Sequence, residues 1–573
     1  MRKHLNINLE NQSIETKELD GEALARAGRH YIAKTLLERN ISSIEPLSPE
    51  NPLIFSAGPF SGTNFSNANR ISVGAKSPLT GGVKESNAGG NFAFALGQLE
   101  ISGLTLNGAS SEWVVIRLCQ NGAITFDPAE KYLGKGLFET AKLLYSNYGK
   151  KISLGICSPV GEYGGLIAGI SFTDPEGRPV RISARGGLGA VMGSKKVKAI
   201  VADQVKMPPF HDRKSLMGKI RKYTEMLNED AAIQNLSRNG TALVADLTNH
   251  IGGLPVHNFR SGQLTKNNTT PFKMGGDFIR EQNLERGGET THACMPGCMI
   301  RCSNIYVDKE GKEVVSPLEY ETIGLLGTNC GLTDPDDLAT LNATANDLGI
   351  DTIEVGALLA ILMDHGHAQF GDTDFMADAL EDIRQGTERG KLLAQGTARV
   401  GAHFKIKRIP VIKQQAISAY DPRVVEVTGI SMMVTAQGAD HTTGNLPTMD
   451  CKGKSTKELL DASMDTQVNC AAWDSIGLCV FGRSVSNINQ PMIIEALNNA
   501  LGTNLPQNFL RTLGRETLEL EDKFNEAAGF TKDDDKLPDF FYKEDLPPTK
   551  NFARHRANEV NKYKHAWLAR GES

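Results

Sequence analysis

The chain has 573 residues, which is more than a single hydrophobic core holds and predicts two to four packed domains with room for a buried cofactor. A net charge of -5 without any run of Lys or Arg argues against nucleic acid as a partner. The first residues do not read as a signal peptide, no apolar run reaches the length of a membrane helix, and nine cysteines without paired spacing favour a reducing compartment, so we predict a cytoplasmic protein.

The first third of the chain has the spacing of a β-rich domain. Residues 5–9 alternate as in a strand, and the stretch 22–39 predicts a helix. Short strands are predicted at 113–118 and 196–202, and the second of these closes the domain. We therefore place the first domain at residues 1–203.

Glycine-rich loops are concentrated in this domain. Gly58–Thr63, Asn69–Gly82 and Ser86–Gly90 follow one another closely. Such loops expose backbone N–H groups that hold anions, so they fit either a ligand-binding role or tight turns between strands. Ala184–Lys195 has the spacing of neither a Walker loop nor a dinucleotide fingerprint, but Arg185 makes it a further candidate anion cradle.

From residue 211 onward, apolar residues recur at three-to-four spacing, which predicts helices. The clearest are 215–227, 336–348, 352–364, 455–472 and a stretch near Val560. Asp334 and Pro335 are a cap and first-turn proline, and Asp351 with Glu354 forms a predicted capping pair. We place two mainly helical domains at 204–416 and 417–573.

Two segments in these helical domains share one form. Asn346–Asp351 and Asp474–Cys479 both read Asx-x-x-Gly-aliphatic-Asp/Cys after a helical stretch. Glycine at that position suits a left-handed helix end. The segments are therefore either two ordinary helix ends or two loops that hold similar groups side by side.

The most unusual feature is a run of three thiols, Cys294, Cys298 and Cys302, completed by the distant Cys479. A helix would place the three on one face, although Pro296-Gly297 favours a turn. Zinc sites usually pair two short knuckles, whereas three cysteines plus one is typical of an iron–sulfur cluster. Zinc, or thiols that merely pack, remain alternatives.

The order of these motifs resembles the aldehyde:ferredoxin oxidoreductase family of tungsten- or molybdenum-pterin enzymes over nearly the whole chain. The resemblance is carried by Gly58–Thr63, Lys76–Gly81, Ser86–Gly90, Arg185–Lys195, Glu319–Thr322, the two Asx loops and Gly438–His441. It implies an α+β fold, in which a β-rich N-terminal domain forms a base for two pterins and two mainly α-helical domains cover it.

The resemblance also implies the roles of individual residues. Pterin and phosphate contacts would come from Arg70, Asn87, Gly89, Arg185 and Gly186. One pterin would lie on the loop of Asn346, Gly349 and Asp351, and the other on the loop of Asp474, Gly477 and Leu478. A magnesium ion would bridge the pterin phosphates, and a 4Fe-4S cluster would be ligated by Cys294, Cys298, Cys302 and Cys479.

Departures from the family's pattern concern the surroundings of the redox centre. The first cysteine gap is three residues rather than the usual two, and Asn346 stands where Asp is common, which keeps a hydrogen bond but loses a charge. The chain's ending reads Trp567-Leu568-Ala569-Arg570-Gly571 and lacks the aromatic Tyr-Tyr-x-x-Arg-Gly-Trp ending typical of relatives. These differences bear on cluster tuning, the substrate channel and the partner surface.

The implied activity is oxidation of an aldehyde to a carboxylate, with electrons leaving through the cluster to a ferredoxin or an iron–sulfur subunit. His441 and one of Glu319 and Glu321 would flank the metal as acid/base groups, and spacing does not choose between the glutamates. Alternatives are a low-potential reductase subunit of the same family, of the aromatic acyl-CoA ring-reducing type, a zinc-stapled non-redox binding protein and a cofactor-free scaffold. A homo- or hetero-oligomer fits any of them.

Overall fold

The N-terminal region is built on two β-sheets, as seen in a computed structural model that describes residues 1–267 and 269–570. Gly571 of the C-terminal ending lies outside these ranges. The first sheet has the order β2-β1-β6-β3-β4-β5, with β1 and β6 parallel. Its strands are β1 (Arg2–Asn8), β2 (Ser13–Leu19), β3 (Leu53–Ala57), β4 (Ile71–Lys76), β5 (Val83–Ala88) and β6 (Ile101–Asn107).

The second sheet has the order β11-β10-β9-β12-β7-β8, with β7 and β12 parallel. Its strands are β7 (Val114–Leu118), β8 (Ile124–Pro128), β9 (Ile152–Cys157), β10 (Ile170–Phe172), β11 (Arg181–Ser183) and β12 (Val197–Asp203). Phe55 of the first sheet and Phe172 of the second lie in one apolar core, their ring centroids 6.4 Å apart. The helices of this region are α1 (Gly21–Ala25), α2 (Gly28–Glu38), α3 (Phe92–Gln98), α4 (Leu137–Tyr148), α5 (Pro159–Glu162) and α6 (Leu188–Ser194).

The rest of the chain is mainly helical. Its first helices are α7 (Arg213–Glu229), α8 (Ala231–Asn239), α9 (Leu243–Ile251), α10 (Gly276–Glu285), α11 (Tyr320–Thr322), α12 (Pro335–Leu348), α13 (Thr352–Asp364), α14 (Thr373–Gln385), α15 (Glu388–Leu393) and α16 (Thr397–His403). They are followed by α17 (Glu426–Val434), α18 (Thr456–Ser475), α19 (Arg483–Ser486), α20 (Gln490–Leu501), α21 (Phe509–Ala527), α22 (Phe540–Lys543) and α23 (Ala557–Leu568). Short strands are β13 (Glu289–His292), β14 (Ser303–Val307), β15 (Glu313–Val315), β16 (Val411–Ile412) and β17 (Gln415–Ala416).

A β-rich N-terminal region followed by mainly helical structure confirms the predicted fold class. Strand β12 ends at Asp203, while the domain boundaries at 203 and 416 stay predictions. Within residues 1–267 and 269–570, no helix is both long and apolar enough to cross a membrane.

The helix caps agree with the sequence with one exception. The Asp334 side chain accepts from the Asp336 N–H, and Pro335 occupies the first turn of α12. The Asp351 side chain caps α13, but Glu354 does not return to it as a capping pair would require. Because α13 is buried, the Glu354 carboxylate instead accepts from the backbone N–H groups of Thr397 and Ala416, each at 2.9 Å.

Strand register brings the glycine loops to the site. In the antiparallel pair β4–β5, Ile71 lies opposite Ala88, so the residues just before β4 and just after β5 meet at one edge of the sheet. Arg70 and Gly89 occupy that edge. The Asx loops approach it from the helical part, since Gly349 and Gly477 end α12 and α18 with φ of 62° and 72°.

Candidate active site

A cavity of about 370 Å³ lies between this sheet edge and the helical part. The predicted site residues on its wall are Arg70, Asn87, Gly89, Cys294, Cys298, Cys302, Glu319, Glu321, Asn346, His441 and Cys479. Other predicted residues lie outside this wall: Arg185, Gly186, Gly349, Asp351, Asp474, Gly477 and Leu478. The structure therefore brings the cysteines and the acid/base candidates into one cavity, with the pterin-loop residues mainly behind it.

The cysteine segment is a series of turns and not a helix. Gly297 has a φ of 76°, and the Cys298 N–H donates to the Met295 carbonyl at 3.3 Å, so the Pro-Gly pair turns the chain as expected. Cys479 is held from the other side, because its N–H donates to the Asn67 carbonyl at 2.7 Å. The four thiols thus reach the cavity from two separate segments.

Gly89 allows the sheet edge to approach the cysteines closely. A Cβ at this position would lie 3.0 Å from the Cys294 sulfur, and the Gly90 N–H donates to the Cys294 carbonyl at 2.8 Å. Any side chain here would crowd the Cys294 thiol, which would have to shift to make room.

Two arginines provide positive charge beside the thiols. Arg70 Nη1 lies 3.9 Å from the Cys479 sulfur. Arg181, which the sequence did not single out, is 6% exposed and donates Nη1 to Ser303 at 3.0 Å, while its Nε and Nη2 have no hydrogen-bond partner. Buried donors without partners fit a site built to receive an anionic group.

The thiols differ in acidity. A hydrogen bond with the Cys298 thiol lowers the pKa of Cys294 to about 6, and Arg181 and Arg70 act in the same direction. The same hydrogen bond and burial raise the pKa of Cys298, and burial together with Cys294 raises that of Cys302. Ligation of a cationic metal group would favour the thiolate form of all of them.

The four sulfurs are not gathered as tightly as the ligands of one small ion would be. Four thiolates bound 2.3 Å from a tetrahedral zinc ion lie roughly 3.8 Å apart. Among the residues that the structure describes, no three of these sulfurs come within 4.8 Å of one another. Three cysteines from one segment and a fourth from another are typical of an iron–sulfur cluster, so the donor set fits that group.

The structure separates the two candidate glutamates. Glu321 Oε1 lies 3.2 Å from His441 Nε2, and Glu321 Oε2 accepts from the Ala419 N–H at 2.9 Å. Burial raises the pKa of Glu321, and His441 acts in the opposite direction. Burial also raises the pKa of Glu319, whose charged neighbours are Arg181 and Arg70, on the cysteine side of the cavity.

A buried polar network orients His441. Its Nδ1 lies 2.9 Å from the Ser418 hydroxyl, and that hydroxyl accepts from Arg185 Nη1 at 3.1 Å. The Ser418 hydroxyl has a second acceptor in the Ala439 carbonyl at 3.4 Å, so its contact with Nδ1 sets the orientation of the ring and not its tautomer. Nε2 is the ring nitrogen that faces Glu321, at 3.2 Å from Oε1.

Arg185 lies behind this pair. Its Nε donates to Asp351 at 3.2 Å, and its other nitrogens donate to Ser418 and to the Ala416 and Ala439 carbonyls. These partners hold the guanidinium inside the protein. A direct role of Arg185 in binding phosphate stays a prediction.

The second Asx loop is connected to the sheet edge. Asp474 accepts from Asn87 Nδ2 at 3.2 Å and from Arg29 Nη1 at 3.3 Å, and Arg29 also pairs with Glu521 at 2.7 Å. Burial raises the pKa of Asp474 to about 6 despite Arg29. Asn87 in turn accepts from Arg70 Nε, so the loop is coupled to the arginine beside Cys479.

Convergent thiols, buried arginines and a glutamate–histidine pair in one enclosed cavity define an oxidoreductase that holds a redox cofactor. The chain belongs to the aldehyde ferredoxin oxidoreductase family: residues 4–204 match the model of its N-terminal domain and residues 219–568 match that of domains 2 and 3. The resemblance noted from the motifs is thereby confirmed.

Named relatives agree with this assignment. The chain is 28% identical to a tungsten-containing aldehyde ferredoxin oxidoreductase of Pyrococcus furiosus, over 96% of this chain and 92% of the relative. It is 27% identical to a WOR-like subunit of an aliphatic sulfonate oxidoreductase from the same organism, over 98% and 93%. A solved structure of the active-site complex BamBC of benzoyl coenzyme A reductase shares the fold, with a TM-score of 0.80 at 18% identity, over 99% of this chain and 94% of the other.

Proposed function

We propose that this protein oxidises aldehydes to carboxylic acids at a tungsten or molybdenum bis-pterin centre, with electrons leaving through a 4Fe-4S cluster. The balanced half-reaction is RCHO + H₂O → RCOO⁻ + 3H⁺ + 2e⁻. When bound, the metal centre would supply a Lewis acid and an acceptor for the electron pair. The observation that carries the proposal is one cavity lined by the Glu321–His441 pair on one side and four cysteines on the other.

Glu321 is the proton acceptor in this proposal. Its Oε1 is buried and accepts no hydrogen bond, whereas Oε2 is fixed by the Ala419 N–H. A carboxylate with one fixed and one free oxygen is oriented to take a proton from water or substrate. His441, aligned through Ser418, presents Nε2 at 3.2 Å from that free oxygen and can hold or pass on the proton.

Arg185 acts as a positioning residue for His441. Its bond to Ser418 holds the Ser418 hydroxyl in place, and this hydroxyl holds the ring of His441. Arg185 makes no hydrogen bond to Oε1 of Glu321. Its effect on catalysis is therefore expected to pass through the orientation of the imidazole.

The cysteine side provides the exit for electrons. Cys294, Cys298, Cys302 and Cys479 would hold the cluster. Arg70 contacts the Cys479 sulfur and also Asn87, whose amide donates to Asp474 on the same loop as Cys479. This connected route would join the cluster to the pterin on the second Asx loop. Asn346, from the first Asx loop, lines the cavity and would lie near the other pterin. Magnesium between the pterin phosphates remains part of the proposal.

The acceptor in this proposal is a ferredoxin or a small iron–sulfur subunit in the cytoplasm. All nine cysteines lie in the described residues and are free, which suits a reducing compartment. Phe481, only two residues after Cys479, is 39% exposed and lines the same cavity, so the cluster side of the molecule reaches the surface. A short distance from cluster to surface is what transfer to a partner requires.

The test is anaerobic purification followed by analysis of iron, tungsten, molybdenum and pterin, and then assay of viologen dye reduction with a broad aldehyde panel. We expect aldehyde-dependent dye reduction by the loaded protein. A loaded protein that reduces no dye with any aldehyde, but oxidises a reduced low-potential dye with an aromatic acyl thioester, would replace the proposal by its reductase alternative.

A further inference from the structure

A second group of metal-binding side chains lies outside the cavity. Within the described residues, Asp174, Glu176 and His292 have ligand atoms that all lie within 4.8 Å of one another. His292 Nε2 is 3.2 Å from a carboxylate oxygen of Glu176 and 3.8 Å from one of Asp174. The carboxylates come from the turn between β10 and β11, and the imidazole comes from the end of β13.

His292 points to a missing ligand. Its side chain is 4% exposed, and its Nε2 has no hydrogen-bond partner although two carboxylates stand beside it. Buried polar atoms are almost always satisfied by hydrogen bonds. An imidazole nitrogen directed between two carboxylate oxygens without bonding either has the arrangement of a metal ligand.

The surrounding contacts are those that metal ligands usually have. A metal-bound histidine normally has its other ring nitrogen bonded to a carboxylate, carbonyl or water. Here Glu289 Oε2 lies 3.3 Å from His292 Nδ1. Asp174 Oδ1 accepts the backbone N–H groups of Glu176 and Arg178 at 3.0 and 2.8 Å, which fixes the carboxylate and leaves Oδ2 directed to His292.

We propose that Asp174, Glu176 and His292 bind a zinc ion. Ligands about 2.0 Å from a tetrahedral zinc ion lie roughly 3.3 Å apart, close to the 3.2 and 3.8 Å observed. One imidazole and two carboxylates suit zinc, and Glu176, at 49% side-chain exposure, leaves a fourth position open to water.

Arg178 is compatible with the ion. Its Nη1 lies 3.3 Å from Asp174 Oδ2 and 3.4 Å from Glu176, but its nearer partner is Glu313, bonded at 2.8 and 3.1 Å through Nε and Nη2. The guanidinium can therefore keep Glu313 while zinc takes the two carboxylate oxygens.

The ion would fasten the cysteine segment to the N-terminal sheets. His292 stands two residues before Cys294, and Asp174 is tied to the glycine edge because Asn91 Nδ2 donates to its carbonyl at 3.0 Å. Gly90 next to Asn91 binds the Cys294 carbonyl. Zinc would thus bridge two segments that already meet at the first cysteine, and its binding does not depend on the proposed reaction.

The experiment measures zinc and iron in the same samples of holoprotein, purified without a histidine tag or chelator. The variants are Glu176→Gln and His292→Gln, with Glu310→Gln as a control at an exposed glutamate of the β14–β15 turn. We expect about one zinc per chain in the wild type and control, and at least a tenfold loss in both variants with iron unchanged. Should His292→Gln not fold, Glu176→Gln decides alone, since this side chain is half exposed.

Zinc titration of chelator-treated protein adds a second readout. Glu289→Gln removes only the partner of Nδ1 and should weaken zinc affinity about 10- to 100-fold. The proposal is overturned if the wild type carries no zinc and binds none on titration. It is equally overturned if zinc persists in Glu176→Gln and is lost only when iron is lost, because the ion would then belong to the cysteines.

Discussion

Replacing Glu321 by glutamine removes a negative charge and a proton acceptor while keeping the shape of the side chain. In the wild type the Ala419 N–H donates to Oε2 at 2.9 Å. The amide oxygen of glutamine can accept the same hydrogen bond, so the backbone around Ala419 should keep its position. A positioned general base contributes about 10²- to 10⁴-fold to rate, or about 2.7–5.4 kcal/mol of barrier. We expect kcat to fall by this range, with iron and tungsten or molybdenum content unchanged.

The matched control is Glu319→Gln, two residues away and equally buried but on the cysteine side. It should change kcat less than tenfold, since its carboxylate is not paired with His441. The assay is steady-state viologen reduction with a good aldehyde, normalised to metal content. Retention of more than half the activity in Glu321→Gln, together with loss of it in Glu319→Gln, would refute the assignment.

The pH dependence gives an independent check on the same group. Burial raises the folded-state pKa of Glu321, and a base works only when deprotonated. The logarithm of kcat/KM should therefore fall with decreasing pH through a pKa above the ordinary value of a glutamate. In Glu321→Gln this fall at low pH should be missing. If it persists unchanged, the ionising group responsible is another residue.

The other predictions concern the cluster and the stability of the network around it. Arg181→Met removes a buried positive charge near the thiols and should make the cluster reduction potential more negative, as measured by an EPR-monitored redox titration; an unchanged or higher potential would contradict it. Gly89→Ala should lower iron per chain, because its Cβ meets the Cys294 sulfur at 3.0 Å, whereas Gly218→Ala, with open space around it, should retain full iron; equal iron in both would refute the close-approach argument. Lys84→Met leaves the buried Asp440 carboxylate without its 2.6 Å partner and should cost about 3–5 kcal/mol of unfolding free energy in a denaturant titration; a loss under 1 kcal/mol would contradict the pairing.

Local signals predicted much of the helical structure and several of the residues that line the cavity. Asp334 and Pro335 begin α12 because a capping side chain and a first-turn proline act on the residues next to them. Pro296-Gly297 likewise turns the cysteine segment through its own backbone conformation. The structure places Cys479 at the same cavity as the other three cysteines of the three-plus-one pattern, and their role as cluster ligands stays a prediction. Spacing was sufficient where neighbours in sequence determine the conformation.

Tertiary contacts decided what spacing left open. Glu319 and Glu321 have different partners in the structure, which no local pattern records. Glu354 fits a capping pair in sequence, yet the burial of α13 directs its carboxylate to distant N–H groups. Arg181 had no motif around it, and its place beside the thiols follows from the pairing of β10 with β11.

The central claim is that four cysteines from two segments hold an iron–sulfur cluster beside the acid/base pair. Its most direct test is the visible and EPR spectrum of protein purified without oxygen, compared with Cys298→Ser and Cys479→Ser. We predict a brown protein with about four iron atoms per chain, and loss of the cluster signal in both variants. A colourless wild-type protein without iron, or a Cys479→Ser variant with an unchanged cluster spectrum, would contradict it.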